Sequence, residues 1–479
     1  MAEIQIGWSE GDLTPEQPVL IAGQFHARVS EGVADPITTT SLAIETETDR
    51  AILVSCDLVG IPDHLREAVR SRLSKSCPGV DPMKVFISGT HTHTGPEIRV
   101  PETGAGHSSR GTGVDLDVMP VEEYIEFAVE RIARTVAQAW ESRMPGSIAF
   151  GQDYAVVGRN RRWVDVEGNS TMYGNTDTPK FSHIEGYEDH SVGVLATKNS
   201  DGELTGLIVN VPCPAQVSEH KFVLSADYWC ETRKEIRDRL DDELFILPQC
   251  SAAGDQSPHL LYGERSARRM LDLKGQTERE AIAERITHAV ENTLECIGTQ
   301  YEDEPVLKHE VLEFGLPMTN LTEDERDTAE EKAERLREQY ESEKQKLEAD
   351  PSLKNEPRWY RTVTRAYRRM NWFRGVVERF EAQQEGETFP VESHVLRLGD
   401  AAFGTVPFEY YLDFGVYIKA RSKALQTFLV QLTGRGTYVP SKRSVAGGGY
   451  GSIPASNPVG PEGGRRLAEE IVETISELF

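Results

Sequence analysis

Val85-Phe86-Ile87-Ser88-Gly89-Thr90-His91-Thr92-His93-Thr94-Gly95-Pro96 is the stretch from which the rest of this sequence can be read. An apolar, β-branched run, Lys84 to Ile87, ends in a glycine and opens into a polar loop carrying two histidines one residue apart. That is a buried strand feeding a functional loop, the pattern of an α/β protein, in which ligand groups gather where strands end. If the chain stays extended past the strand, positions i and i+2 point to one side, so His91 and His93 reach one pocket together. Two neutral imidazoles there suit a divalent metal such as Zn²⁺; as a hydrogen-bonding pair they suit a plain polar loop.

The pattern repeats outward. Ala51 to Cys56, Val192 to Ala196, Leu207 to Val211 and Phe245 to Leu247 read as further buried strands, and Val395 to Leu398, Ala401 to Val406 and Phe428 to Leu432 as later ones. Pro62 to Ser74, Val121 to Trp140, Tyr228 to Leu240, Thr277 to Cys296 and Gly464 to Phe479 read as amphipathic helices. The expected fold class is α/β, with mixed β-sheets flanked by helices, in one large catalytic domain over 1–479.

One segment, 320–385, departs from this. Thr322 to Ala349 opens with a capping box, Thr322 with Glu325, and carries the stripe Ala329, Ala333, Leu336, Tyr340, Leu347 before Pro351 stops it. A second helix follows with Trp359, Val363, Tyr367, Met370, Phe373, Val377 and Phe380 on one face. The first helix is rich in Glu and Asp, the second in Arg, so an inserted antiparallel helical hairpin is expected. It serves as a structural appendage, a lid, or a surface for a homo-oligomer.

The net charge is −26 over 479 residues, with 27% charged and 38% hydrophobic. Such a surface repels phosphates and anionic bilayers, which sets nucleic acid and membrane aside as partners and leaves a small-molecule substrate. The opening Met1 to Gly7 has no basic region followed by an apolar one, and the six cysteines are scattered singly. A reducing, cytoplasmic location is the expectation.

Other strand ends carry chemistry too. Gln249 to His259 holds Gly254, Asp255 and Ser257; the serine reads as a nucleophile or as a helix N-cap ahead of Pro258. Cys213 sits between Pro212 and Pro214, either as an inert packed thiol or as a ligand. Glu409 follows a strand and leads toward a helix, and Tyr438 lies in the glycine-rich Gly434 to Pro440.

In order along the chain these segments resemble the catalytic domain of the neutral/alkaline, non-lysosomal ceramidases. The resemblance rests on Gly11-Asp12-Leu13-Thr14-Pro15, Ile21-Ala22-Gly23, Asp35-Pro36 and Val54-Ser55-Cys56-Asp57-Leu58. It continues through Thr90 to Pro96 against that family's T-H-T-H-S-G-P, Asn160-Arg161, and Gly254-Asp255-Gln256-Ser257-Pro258 against G-D-V-S-P. It implies a zinc ion held by His91, Glu409 and Tyr438. The fourth family ligand, a histidine before proline, falls on Cys213, with Glu219 and His220 as substitutes. It further implies His93 lining the site, Arg161 steadying substrate or oxyanion, His93 or Asp255 carrying a proton, and Ser257 as nucleophile or substrate contact. The implied activity is zinc-dependent hydrolysis of a linear amide, an N-acyl bond, by metal-activated water. The polar run after Arg161, through Tyr173-Gly174-Asn175, points to a substrate smaller and more polar than ceramide. The residues alone also accommodate a metal-dependent lyase or isomerase of a sugar-like or acid substrate, or an inactive scaffold that binds through the hairpin.

Overall fold

The computed structural model describes residues 3–100 and 111–479. Eight strands form the main sheet: β1 (Gln5–Asp12), β2 (Thr38–Glu45), β3 (Arg50–Cys56), β4 (Val85–Gly89), β5 (Met144–Tyr154), β6 (Ser191–Asn199), β7 (Leu204–Val211) and β8 (Phe245–Cys250). Their order is β8-β7-β6-β5-β1-β2-β3-β4. The two outermost pairs, β7 with β8 and β3 with β4, are parallel, and the pairs between them are antiparallel. A four-stranded sheet follows, in the order β9 (Leu307–Pro317), β10 (Thr388–Leu398), β11 (Ala401–Thr405), β12 (Gln426–Val430), with its β11–β12 pair also parallel. The mixed α/β class expected from the pattern is the class observed.

The sheets lie face to face. Ile6, Trp8, Leu53, Phe86, Leu195 and Leu247 from the first meet Leu307, Leu396, Phe403 and Phe428 from the second in one apolar cluster. Strand β3 shows how a continuous apolar run serves two layers. Ala51 and Leu53 face the second sheet, whereas Ile52 and Val54 face α1 (Asp63–Ser76) and α2 (Val121–Glu141). Successive side chains of a strand alternate, so a strand covered on both faces reads as unbroken hydrophobic sequence. Helices α3 (Tyr228–Arg239) and α4 (Glu278–Ile297) cover the other half of the main sheet. The second sheet is covered by the short helix Leu412–Arg421 and the last long helix, Pro461–Leu478. The layers run helix, sheet, sheet, helix.

The insertion leaves β9 and returns to β10, which pair with each other; the last rung joins Pro317 to Thr388. Between them run α5 (Glu323–Ala349), opened by the capping box of Thr322 and Glu325, and α6 (Arg361–Ala382). Ala329, Ala333 and Leu336 pack on Met370, Phe373 and Val376, and Tyr340 on Val363 and Ala366, an antiparallel register. The charge reading needs revision. Two arginines of α6 bond to carbonyls rather than to carboxylates of α5: Arg368 donates to Gly111 O and Gln24 O, and Arg379 to Asn457 O and Pro454 O. Long side chains turn toward whatever unsatisfied carbonyls lie within reach, and here the α/β body supplies them.

One further expectation is corrected. No helix starts at Ser257, which lies in a two-residue strand paired with Arg159–Asn160; the next helix begins at Glu264 behind Gly263. Glu409 does lead toward a helix, Leu412–Arg421, but first forms a two-residue bridge that the sequence did not announce. No helix among the described residues is long and apolar enough to cross a membrane.

Candidate functional site

The site lies beyond the C-terminal ends of the parallel strands β4, β7, β8, β11 and β12, where strand ends and following loops converge. Gly89 ends β4 because nothing larger fits: a methyl group there would stand 2.8 Å from Leu58 O and 2.9 Å from Gly60 Cα. His91 then takes a left-handed conformation, φ 61°. The two histidines therefore do not share a side through strand alternation. The turn itself brings them together, with ring centroids 4.9 Å apart.

Each imidazole is held by a different loop. His91 Nδ1 stands 2.5 Å from Val59 O, and its Nε2 lies 3.3 Å from Glu409 Oε2. His93 Nδ1 stands 3.1 Å from Glu219 Oε2. Burial pushes the His93 imidazole down to about 4, against the opposing pull of Glu219. Arg28, fully buried, donates to the carbonyls of His93, Glu219 and Lys221 and ties these loops to one another.

Glu409 and Tyr438 arrive in register, as partners in a two-residue parallel bridge. Gly254 packs flat on that bridge, for a methyl group on it would meet Glu409 O at 2.4 Å. Burial opposes ionisation of Glu409, but His91, Arg161 and the Tyr438 hydroxyl overcome it and hold the carboxyl at about 2. The Tyr438 phenol is pushed well up by burial and by Glu409, so it is a neutral hydroxyl in this arrangement. Arg161 donates from Nη2 to Gly254 O at 2.8 Å and to Tyr438 Oη at 3.2 Å, and stands 4.0 Å from Glu409.

The remaining predicted residues fall around this centre in different ways. Ser257 is fully buried, with its Oγ 3.2 Å from both Tyr173 Oη and Gln216 Nε2 and 3.0 Å from the His259 amide. The His259 imidazole is directed to Glu219, 3.3 Å away. A serine nucleophile needs a base to take its proton, and these neighbours present donors to it instead. Asp255 accepts from Asn160 Nδ2 at 2.8 Å and the Leu412 amide at 2.9 Å, so its carboxylate fastens loops together. Cys213 packs in the apolar cluster under α3 and α4, its thiol 3.5 Å from Pro214 O and pushed well up by burial. His220 is exposed.

Two site residues escaped the sequence reading. Tyr450 stacks edge-on against Tyr438, centroids 5.3 Å apart, and Gln216 joins Glu219, already named as a substitute ligand, in the polar wall. The signal for Tyr450 was its flanking glycines, Gly449 and Gly451, both at positive φ. A cavity of about 480 Å³ opens over Glu409, Tyr438 and Tyr450 and is walled by Trp372 and Val376 of α6 and by Phe389.

His91, Glu409 and Tyr438 form a nitrogen–oxygen–oxygen donor set of the kind Zn²⁺ accepts. With Nδ1 turned to Val59 O, His91 Nε2 is the ring nitrogen left facing the Glu409 carboxylate, the position a metal ligand needs. The donors therefore fit a metal. Among the described residues no group of three or more His, Cys, Asp and Glu side chains is arranged to hold one, because the third donor here is a phenol.

No family model matches the sequence, and no curated protein does. Solved structures do match. The neutral ceramidase from Pseudomonas aeruginosa superposes with a TM-score of 0.68 at 17% identity, over 100% of this chain and 75% of that one. A ceramidase complexed with C2 gives 0.67 at 15% identity, with the same coverage. At such identity the likeness speaks for the backbone, and it agrees with the order of motifs. The chain has the fold of the neutral ceramidases along its whole length, in a strongly diverged sequence.

Proposed function

We propose that this protein is a zinc-dependent hydrolase that cleaves the amide bond of a small, polar N-acyl compound. The observation that carries the reading is the apposition of His91 Nε2 and Glu409 Oε2, 3.3 Å apart, with Arg161 and Tyr438 beside them and with Glu409 and Tyr438 lining the cavity. The neutral ceramidase fold supports the amide as the bond cleaved. His91, Glu409 and Tyr438 hold the metal. Glu219 is the better fourth donor than Cys213, since its carboxylate already faces the site through His93 while the thiol lies in the core. A bound zinc ion supplies Lewis acidity toward the carbonyl and acidifies water.

The chain's own groups do the rest. Arg161, buried and pinned to Gly254 O, places fixed positive charge where a tetrahedral oxyanion develops, and the Tyr438 hydroxyl donates from the other side. His93 carries the proton toward the departing amine, held in place by Glu219. Gln216, Tyr173 and Ser257 bind the polar part of the substrate. The Trp372 and Val376 wall limits its width.

The test is metal analysis of the purified protein together with amine release from a panel of N-acyl compounds. About one equivalent of zinc is expected, lost in His91→Ala and Glu409→Gln along with turnover. A metal-free wild-type protein, or turnover unaffected by His91→Ala, overturns the reading.

A further inference from the structure

On the far side of the hairpin, α6 lines a second cleft of about 1120 Å³. Arg361, Arg365 and Arg369 stand at every fourth residue of the helix, so they climb one face in steps of about 6 Å. His26, Arg358 and Trp359 complete this wall. Two carboxylates reach the cleft. Glu31 is spent on Arg358, in a two-pronged pair of 2.7 and 2.8 Å, and Glu356 lies exposed. Among the described residues no carboxylate stands within ion-pair distance of Arg361, Arg365 or Arg369.

A solvated row of arginines would explain these facts if it lay on a convex surface. Four observations point elsewhere. The row lines a concavity. It is backed by two more guanidiniums, Arg28 and Arg368, both buried and bonded to carbonyls, whose charge solvent and salt screen poorly. The field registers on His26, held at about 4 by burial and then by Arg361, Arg28, Arg365 and Arg368. Finally, the outer arginines are oriented: Arg358 and Arg361 lie over the Phe222 ring at 3.8 and 5.7 Å, and Arg369 over Phe25 at 5.8 Å. On a chain of net charge −26, these three guanidiniums meet no carboxylate among the described residues.

We infer that this cleft binds the phosphate groups of a small soluble anion, a phosphomonoester or diphosphate, through Arg361, Arg365 and Arg369. A guanidinium fork matches phosphate oxygens two at a time, and neighbouring forks on one helix face span adjacent phosphates. A bilayer presents the same group, but the acidic body is repelled by an anionic surface, so a free ligand is the occupant. The inference does not rest on the hydrolase reading.

Titration calorimetry of the full chain with sodium pyrophosphate in low salt tests it, with Trp359 fluorescence as a second signal. Saturable binding at one site is expected. Arg365→Gln weakens it roughly tenfold or more, the loss of one charge-assisted pair, and Arg361→Gln with Arg365→Gln abolishes it. Both positions are exposed, so the variants keep their fold, which unchanged melting confirms. Absence of saturable binding, or affinity indifferent to both substitutions, overturns the inference. Sedimentation with phosphatidic-acid vesicles in the absence of pyrophosphate binding overturns the soluble ligand.

Discussion

Replacing Gly254 with alanine tests whether the backbone, rather than the side chains alone, sets the His91–Glu409 geometry. The added methyl carbon would lie 2.4 Å from Glu409 O and 2.8 Å from its carbonyl carbon. An ordinary carbon–oxygen contact is about 3.4 Å, so one of the two segments must retreat by about 1 Å. Neither can do so freely. Gly254 N is bonded to Tyr410 O at 2.9 Å, and Gly254 O accepts from Arg161. The displacement therefore passes to the Glu409–Tyr438 bridge, and the carboxylate moves off its 3.3 Å approach to His91. A misplacement of that size costs roughly a hundredfold in turnover, and overpacking costs about 1–3 kcal/mol in stability. The assay pairs amine release with zinc content after gel filtration and with urea denaturation. A variant that keeps wild-type turnover and zinc, with its melting unchanged, refutes the claim that this glycine sets the site.

Arg162→Met leaves Glu185 buried opposite an apolar chain, since Arg162 Nε now meets its Oε2 at 2.5 Å; a loss of about 3–5 kcal/mol in urea denaturation is expected, and one below 1 kcal/mol, on the order of a surface change, contradicts it. Cys213→Ala is expected to retain zinc while losing about 1 kcal/mol, and loss of the metal would restore the thiol as a ligand. Stability is expected to fall as pH falls, in two stages. Burial holds His309 and His394 below their ordinary 6.5, so the unfolded chain takes up protons first and stability declines from about pH 6.5 downward. Burial opposes ionisation of Glu392, but His394 and Arg70 hold it well below 4.5, so a second loss follows below that value. Urea midpoints across pH check this, and Glu392→Gln should flatten the lower stage while steepening the upper one, because Glu392 now counters the effect of burial on His394.

The strands nearest the site were legible because both faces are covered, which makes Ala51 to Cys56 and Leu207 to Val211 uninterrupted apolar runs. Strands β5 and β9 were not. Met144 to Tyr154 carries Pro145, Gly146 and Gly151, and Leu307 to Pro317 alternates with charge at a sheet edge, so neither announces burial. The capping box at Thr322 could be read because it is local. The partners of Arg368 and Arg379 could not, because composition states the sign of a charge and not which carbonyl will meet it. At the site, order along the chain pointed to His91, Glu409 and Tyr438, which the fold brings together. The same order pointed to Cys213, and a side chain's direction at a strand end depends on the packing beneath it. Tyr450 stayed hidden, since a tyrosine between glycines is indistinguishable from a turn filler until Tyr438 is placed against it.

The hairpin begins and ends at a single rung, Pro317 opposite Thr388, of an antiparallel pair that is complete without it. Closing a loop across so short a gap costs little more when the loop lengthens. Helix length and sequence in this segment are thus free to drift without disturbing a single rung of the scaffold, while one flank of α6 overlooks the reaction floor. On the hydrolase reading, chemistry and selectivity then rest on separable parts, and exchanging this module would alter the substrate range on an unchanged centre.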